Sequence, residues 1–167
     1  MDVAVAAFST RTDAALARAA AVCGQRGAKL TDLRRDVLGL ILEAPGPTGA
    51  YELLARLRAR RGAAQPPTVY RALDFLLEQG LIHRIERLAA FVGCLDAHAH
   101  DHGHDHAAQF LICRGCGQVT EIEDAALNEA LAAAAARAGF RIGRATIEAE
   151  GLCAACAPPL AAPGTRT

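Results

Sequence analysis

The chain has 167 residues, enough for one domain or two small ones, and carries 18 basic and 18 acidic side chains. Although 52% of the residues are hydrophobic, 39 are alanines, so the large apolar side chains can form only a modest core. Aromatic residues make up 4% and tryptophan is absent, which argues against an aromatic-lined groove for carbohydrate or single-stranded nucleic acid. We find no apolar run long enough for a membrane span and no signal-peptide pattern, so we expect a cytoplasmic protein.

The first third of the chain predicts three short helices. An alanine-rich helix covers Ala14–Cys23, and a second helix begins after Thr31 and stops before the turn at Pro45. A third helix is capped by Thr48 and ends before Gly62. The apolar stripe predicted for this third helix consists of Tyr51, Leu54 and Leu57.

A fourth helix opens at Pro66, because proline is well tolerated in a first helical turn, and it ends at Gly80. Two short strands, Leu81–Arg87 and Leu88–Leu95, are predicted to follow as a hairpin. Short helices followed by a hairpin predict a winged helix-turn-helix, in which the fourth helix enters the major groove of DNA. The inward stripe of this helix consists of Val69, Leu73, Leu76 and Leu77.

The outer face of the fourth helix carries the candidate DNA-binding residues. Arg71 points away from the apolar stripe, and a guanidinium can make two hydrogen bonds to a guanine edge, so we expect Arg71 to read a base. Thr68 and Tyr70 flank it and can contact a phosphate or a thymine methyl group. A plain surface position for Arg71 and partial burial of Tyr70 remain the alternatives.

Charge is distributed unevenly along the chain. Residues 1–87 hold 13 basic and 9 acidic side chains, whereas residues 88–167 hold 5 and 9. Between Arg56 and Arg71 there are five arginines and no acidic residue. This basic segment is typical either of a phosphate-binding surface or of a solvated helix face.

Two Cys-x-x-Cys motifs lie in the second half of the chain, formed by Cys113, Cys116, Cys153 and Cys156. Four thiolates can enclose zinc tetrahedrally and leave no open position, which is typical of a structural site. A single motif would fit a redox pair equally well, but two spaced motifs favour zinc over a thiol switch. Cys23 is expected to pack within the first helix.

A small α/β unit is predicted around these cysteines. It consists of strands over Phe110–Cys113, Gln118–Ile122 and Phe140–Glu150, with a helix that Asp124 caps and Gly139 ends. Because so small a unit exposes a sheet edge, we expect it to pair with a second copy. The predicted fold class is α+β: an N-terminal winged helix-turn-helix domain and a small C-terminal α/β dimerisation domain.

Five of the six histidines fall in one low-complexity run, typical of a metal-binding loop: His98, His100, His102, His104 and His106. His83 lies apart from them in the first predicted wing strand, and Cys94 lies in the second. Taken singly, each of these two residues fits a structural role as readily as a metal-binding one.

The segment PPTVYRALDFLLEQG at 66–80, the following His83 and Cys94, and the paired Cys-x-x-Cys motifs resemble the ferric uptake regulator family, and within it the zinc uptake regulators. The resemblance covers about residues 10–157. It implies a metal-dependent repressor that acts as a homodimer and is not an enzyme. The expected domains are a winged helix at 1–90, a histidine-rich hinge loop at 91–107, a zinc-knuckle dimerisation domain at 108–157 and a flexible tail at 158–167.

The resemblance further implies two zinc ions per subunit. The structural ion would be held by the four cysteines of the paired motifs, and the sensing ion by His83, Cys94, His106 and Glu121. The loop before His106 is longer than the family pattern, which leaves His104 and His102 as alternative third ligands. One thiolate, two imidazoles and one carboxylate form a ligand set suited to zinc.

The expected function is therefore zinc-responsive repression of zinc uptake genes, through binding of palindromic double-stranded operator DNA, without a small-molecule substrate or a membrane partner. A regulator of the same family that senses iron, peroxide or nickel is the nearest alternative. A zinc-buffering or chaperone protein could use the histidine run, but it would not need Arg71 on a winged helix. A zinc hydrolase or deaminase is disfavoured because the four-cysteine site is closed and the deaminase motif is missing from the sequence.

Overall fold

The computed structural model describes residues 7–94, 107–143 and 145–157. The chain divides into two compact units, Met1–Asp101 and His102–Thr167. The predictions for the histidine run at 98–106 and for the tail at 158–167 lie outside the described residues. Among those residues, no helix combines the length and apolar character needed to cross a bilayer.

Four helices build the first unit: α1 (Thr10–Gln25), α2 (Asp32–Leu42), α3 (Ala50–Arg61) and α4 (Pro66–Glu78). Helix α1 begins earlier than the prediction because Ser9 is its N-cap, where the side-chain oxygen accepts a hydrogen bond from the backbone N–H of Thr12. The helices share one core, in which leucines predominate and Cys23 is packed as expected. Its fully buried leucines are Leu16, Leu38, Leu53, Leu57, Leu73 and Leu76.

The prediction for the start and orientation of α3 is wrong in two respects. Thr48 does not cap the helix; it lies in a short strand, β1 (Thr48–Gly49), and Gly49 is the N-cap. Tyr51 is 80% exposed, whereas Leu53 joins Leu54 and Leu57 on the buried face. Both sets of positions fit a helical period, and packing of α3 against α2 and α4 selects the one that faces the core.

The wing is a three-stranded antiparallel sheet formed by β1, β2 (Ile82–Ile85) and β3 (Ala90–Gly93) in the order β1-β3-β2. The two predicted wing strands are too long, because a 3₁₀ turn at Glu86–Leu88 separates them and Ala89 adopts a left-handed conformation with φ 46°. The structure thus confirms the winged helix-turn-helix and adds one strand to it.

The second unit contains β4 (Ala108–Cys113), β5 (Val119–Ile122), α5 (Ala125–Arg137) and β6 (Thr146–Gly151). Strand β4 is central in the order β5-β4-β6, antiparallel to β5 and parallel to β6. The last strand begins six residues after the predicted Phe140, because the backbone N–H of Phe140 still bonds to the carbonyl of Ala135 and the ring is 68% exposed. The predicted α+β class is confirmed.

Asp124 caps α5 as predicted, since its side chain accepts hydrogen bonds from the backbone N–H groups of Ala126 and Leu127. The buried Gln109 of β4 donates to Asn128 Oδ1 at 3.1 Å and accepts from the backbone N–H of Asp124 at 3.2 Å. These bonds join the start of the helix to the central strand.

Candidate metal centre and nucleic-acid interface

Parallel pairing of β4 and β6 brings the two cysteine motifs to one edge of the sheet. Cys113 and Gly151 are register partners at the ends of these strands, and the backbone N–H of Arg114 donates to the carbonyl of Gly151 at 2.9 Å. Each motif therefore begins where its strand ends. Two turns that are 37 residues apart in the chain meet in this way.

The four thiol sulfurs of Cys113, Cys116, Cys153 and Cys156 lie within 4.8 Å of one another. The sulfurs of Cys116 and Cys153 are 3.8 Å apart, and all six cysteines of the chain are free. Metal–sulfur bonds of ~2.3 Å in a tetrahedron give sulfur–sulfur edges of about 3.8 Å. This donor set therefore fits a tetrahedral zinc ion.

The electrostatics of the cluster favour thiolate at one position and oppose it at another. The backbone N–H of Cys153 donates to Cys113 Sγ at 3.3 Å, and together with the backbone N–H of Cys116 it lowers the pKa of Cys113 to about 6. The neighbouring sulfurs, that of Cys153 above all, raise the pKa of Cys156 to about 12. Four thiolates so close together repel one another, and a central cation compensates that repulsion.

Gly115 permits the close approach of the two turns. A Cβ atom at this position would lie 2.9 Å from the Cβ and 3.0 Å from the sulfur of Cys156, which is too close for any larger residue. The second of the two variable positions in the first Cys-x-x-Cys motif is thus restricted by the second motif.

His83 and Cys94 come together in the first unit. His83 lies on β2 opposite Val92, and the buried Cys94 directly follows β3. An imidazole nitrogen of His83 and the sulfur of Cys94 lie within 4.8 Å of each other. The backbone N–H of Cys94 donates to the carbonyl of Leu81, and that of Leu81 donates to the carbonyl of Leu76 in α4. The pair is thereby connected to the end of α4.

The two remaining candidate sensing ligands belong to the second unit. Glu121 lies on the edge strand β5, half-buried and paired in register with Phe110. His106 and the alternative ligands His104 and His102 fall outside the described residues. Each of these assignments stays a prediction.

The candidate DNA-reading residues lie on α4. Its inner face is buried through Val69, Ala72, Leu73, Phe75 and Leu76, of which Ala72 and Phe75 were not predicted. Arg71 is exposed and makes no hydrogen bond or ion pair with any described residue. Tyr70 is 46% exposed and Thr68 is half-buried. These three side chains are therefore available for an external partner.

Two arginines, one directly after α1 and one in α2, contact the C-terminal half of α4. Arg26 donates to the carbonyl of Gln79, the C-cap residue of α4, at 2.7 Å. The guanidinium of Arg34 lies 3.5 Å from the centroid of the Phe75 ring. Both contacts restrain the helix at its C-terminal end, opposite to the end that carries Thr68 and Arg71.

The basic segment does not form a uniform patch. Arg56 pairs with Glu52, Arg58 donates to the carbonyl of Ala64, and Arg60 and Arg61 both bond to Asp36 of α2. Of the five arginines, only Arg71 has no partner among the described residues. The structure thus separates one outward-facing arginine from four that are engaged within the protein.

Sequence reasoning missed Tyr51 as a candidate functional residue. It lies in the first turn of α3, the helix that precedes the reading helix, and exposes 80% of its surface. The first helix of a helix-turn-helix crosses the DNA backbone, so a tyrosine there can donate to a phosphate. The adjacent leucines Leu53 and Leu54, together with Leu57, form a complete apolar face without Tyr51, and this pattern could have excluded Tyr51 from the core.

A winged helix whose wing carries a His–Cys pair, joined in one chain to a unit with a four-cysteine site, defines a metal-binding regulator of the winged-helix class. The family model described as "Ferric uptake regulator family" matches residues 25–150. The chain belongs to this family.

The chain is also similar to named proteins and to solved structures. The zinc uptake regulation protein of Escherichia coli (strain K12) is 43% identical over 147 residues, which cover 88% of this chain and 84% of that protein; the protein of the same name from Shigella flexneri matches equally. A zinc uptake regulator complexed with zinc and DNA is 41% identical, with a TM-score of 0.81 over 88% of this chain and 95% of that one. The crystal structure of holo XcZur is 40% identical, with a TM-score of 0.77 over 86% and 96%.

Proposed function

We propose that this chain is a zinc-responsive transcriptional repressor, not an enzyme, that binds palindromic operator DNA as a homodimer and represses zinc uptake genes in the cytoplasm. The observation that carries the proposal is the His83–Cys94 pair, a metal-ligand pair joined by two backbone hydrogen bonds to the helix that bears Arg71. The relatives named for zinc uptake regulation, and the related structure that holds both zinc and DNA, support the same function.

In this proposal the four cysteines hold a structural zinc ion. The sulfur spacing and the close approach at Gly115 support the assignment. Bound zinc would supply cross-linking there and no reactive chemistry, because four protein ligands leave no open coordination position. Within the proposed domain at 108–157, Cys113 and Cys116 hold the end of β4, and Cys153 and Cys156 hold the end of β6.

The proposed sensing ligands are His83, Cys94, His106 and Glu121. The first two belong to the reading domain at 1–90 and its hinge, and Glu121 belongs to the dimerisation domain. Ligands drawn from both domains would restrain the angle between them. In a dimer that angle sets the distance between the two reading helices, which must enter successive major grooves roughly 34–36 Å apart. Metal occupancy and DNA affinity are then coupled, and each strengthens the other by the same factor.

A titration of DNA binding against buffered free zinc tests this proposal. The probe is an operator duplex selected from a random library with the zinc-loaded wild type, and binding is followed by fluorescence anisotropy. Cys94→Ser should raise the free zinc needed for half-maximal binding at least about tenfold, since the loss of a ligand weakens the site. Cys23→Ala, which changes the other buried cysteine of the same unit, should leave the zinc response unchanged.

Equal operator affinity across the whole range of free zinc would contradict the proposed mechanism. A response to iron or nickel at lower free concentration than zinc would instead identify a regulator of the same family with a different metal.

A further inference from the structure

Asp36 on α2 binds two arginines of the basic segment at once. Its Oδ1 accepts from Nε of Arg60 at 3.0 Å, and its Oδ2 accepts from Nε of Arg61. The Asp36 side chain is only 10% exposed, and those of Arg60 and Arg61 are 13% and 31% exposed. The guanidinium of Arg60 also stacks on the Phe8 ring, 3.9 Å from its centroid. Both cationic groups are therefore drawn towards the protein.

These two arginines lie close in the chain to the helix that carries the proposed DNA-reading residues. They end α3, and only the turn at 62–65 separates them from α4. The Arg58 side chain donates to the carbonyl of Ala64 within that turn and holds it against α3. In a helix-turn-helix the helix before the reading helix crosses the DNA backbone, so a free arginine at this place would meet phosphates.

Phosphate contacts by arginine strengthen binding to every DNA sequence alike. Each additional contact makes the slope of log affinity against log salt steeper by about 0.9. Such contacts leave the ratio of operator affinity to affinity for other DNA unchanged, so arginines that are withheld from phosphate lower only the sequence-independent affinity and its salt dependence. Asp36 is placed to withhold two of them.

We propose that Asp36 limits sequence-independent binding to DNA, because it holds Arg60 and Arg61 away from the DNA backbone. This inference rests on the proposed DNA-binding function and adds a named residue to it. Two guanidinium partners also balance the burial of the carboxylate, because a buried charge with unsatisfied partners is strongly unfavourable.

The test compares Asp36→Asn with Asp13→Asn in the full-length, zinc-loaded protein. Both variants remove one negative charge, and both aspartates pair with arginine, but Asp13 pairs with Arg35, outside the basic segment. Affinity for a 30-base-pair duplex of random sequence (about three helical turns) is measured at several salt concentrations. We expect Asp36→Asn to steepen the salt slope by about 0.9 to 1.8 and to raise the affinity for the random duplex several-fold at low salt. Asp13→Asn should change neither quantity measurably.

An unchanged slope in folded Asp36→Asn, or an equal change in Asp13→Asn, would overturn the proposal. Arg61→Gln provides a second test. In this variant Asp36 keeps Arg60 as a partner, so the buried carboxylate is not left unpaired. If Arg61 is withheld from phosphate, its loss should leave the random-duplex slope unchanged, and a slope shallower by about 0.9 would refute the proposal. Failure of the proposed repressor function would appear differently, as zinc-independent operator binding by the wild type.

Discussion

The two units of the molecule differ in what holds them together. The first unit buries leucines from four helices together with isoleucine and phenylalanine from its wing, and its core is continuous. Among the described residues of the second unit, the large apolar side chains that are buried are Phe110 and Ile112, and α5 has no buried residue. Polar contacts within the second unit are made instead by Gln109 and by the cysteine cluster.

The two units therefore depend on different sources of stability. A unit this small, with so few buried side chains among its described residues, gains little from the hydrophobic effect, and cross-linking by metal or pairing with another chain commonly supplies the remainder. The first unit can rely on packing. Substitutions in each unit can separate these two sources of stability.

Cys113→Ser should remove the fold of the second unit and leave the first intact. Cys113 is the buried member of the cluster and lies at the end of the central strand, so its loss removes both a proposed zinc ligand and the sulfur that accepts a hydrogen bond from the backbone N–H of Cys153. Amide hydrogen exchange should show loss of protection in β4 and β6 but not in α2 to α4, and zinc content should fall by about one ion per chain. Retained protection in β4 would show that the second unit does not need the metal.

Leu57→Ala should produce the opposite pattern. This side chain is fully buried in the core of the first unit, so its truncation should lower the free energy of unfolding by about 2–5 kcal/mol. Urea unfolding gives the change, and Leu88→Ala, at an exposed position, should change stability by no more than about 0.5 kcal/mol. A fall in structural zinc content in Leu57→Ala would contradict the independence of the two units.

Arg71→Ala should impair function without altering the stability of either unit. Because Arg71 has no partner among the described residues, its removal should leave the unfolding free energy unchanged while weakening operator binding by about 1–3 kcal/mol. Arg56→Ala, on α3 and paired with Glu52, is the matched control and should have a smaller effect. Equal weakening of operator and random duplex by Arg71→Ala would identify a phosphate contact instead of a base contact.

Asp124→Ala should have the smallest effect, confined to the second unit. Loss of the two cap bonds to Ala126 and Leu127 should destabilise α5 by about 0.5–2 kcal/mol, measured as faster amide exchange in its first turn. Asp124→Asn keeps a side-chain oxygen acceptor and should retain most of the stability. If Asp124→Ala left exchange unchanged, the helix would be held by Gln109 and Asn128 alone.

Local sequence signals predicted the elements well where the cause is itself local. Pro66, Gly62 and Asp124 marked helix ends correctly because caps and left-handed turns involve neighbouring residues. The prediction that a strand begins at Phe140 was wrong, because alternation of side chains indicates a strand without showing where its pairing with a distant strand begins. The short strand β1 escaped prediction because two residues carry no period.

The candidate site was predictable as a set of residues but not as an arrangement. The two Cys-x-x-Cys motifs indicated a four-thiolate centre, because metal-ligand chemistry is visible in residue type and spacing. The meeting of the motifs depends on the parallel pairing of β4 with β6, which no local pattern encodes. The helical phase of the fourth helix singled out Arg71 in the sequence, but the contacts that engage the other four arginines of the basic segment are visible only in the structure.

The amino-acid sequence by itself indicated the family, several helix boundaries set by caps and glycines, and the proposed ligands, since these follow from short-range sterics and from side-chain chemistry. Tertiary structure decided which side of α3 faces the core, and it decided that Asp36, 24 and 25 residues away in the chain, engages Arg60 and Arg61. The physical reason is that burial and ion pairing depend on which distant segments pack together, and only the folded chain brings those segments into contact.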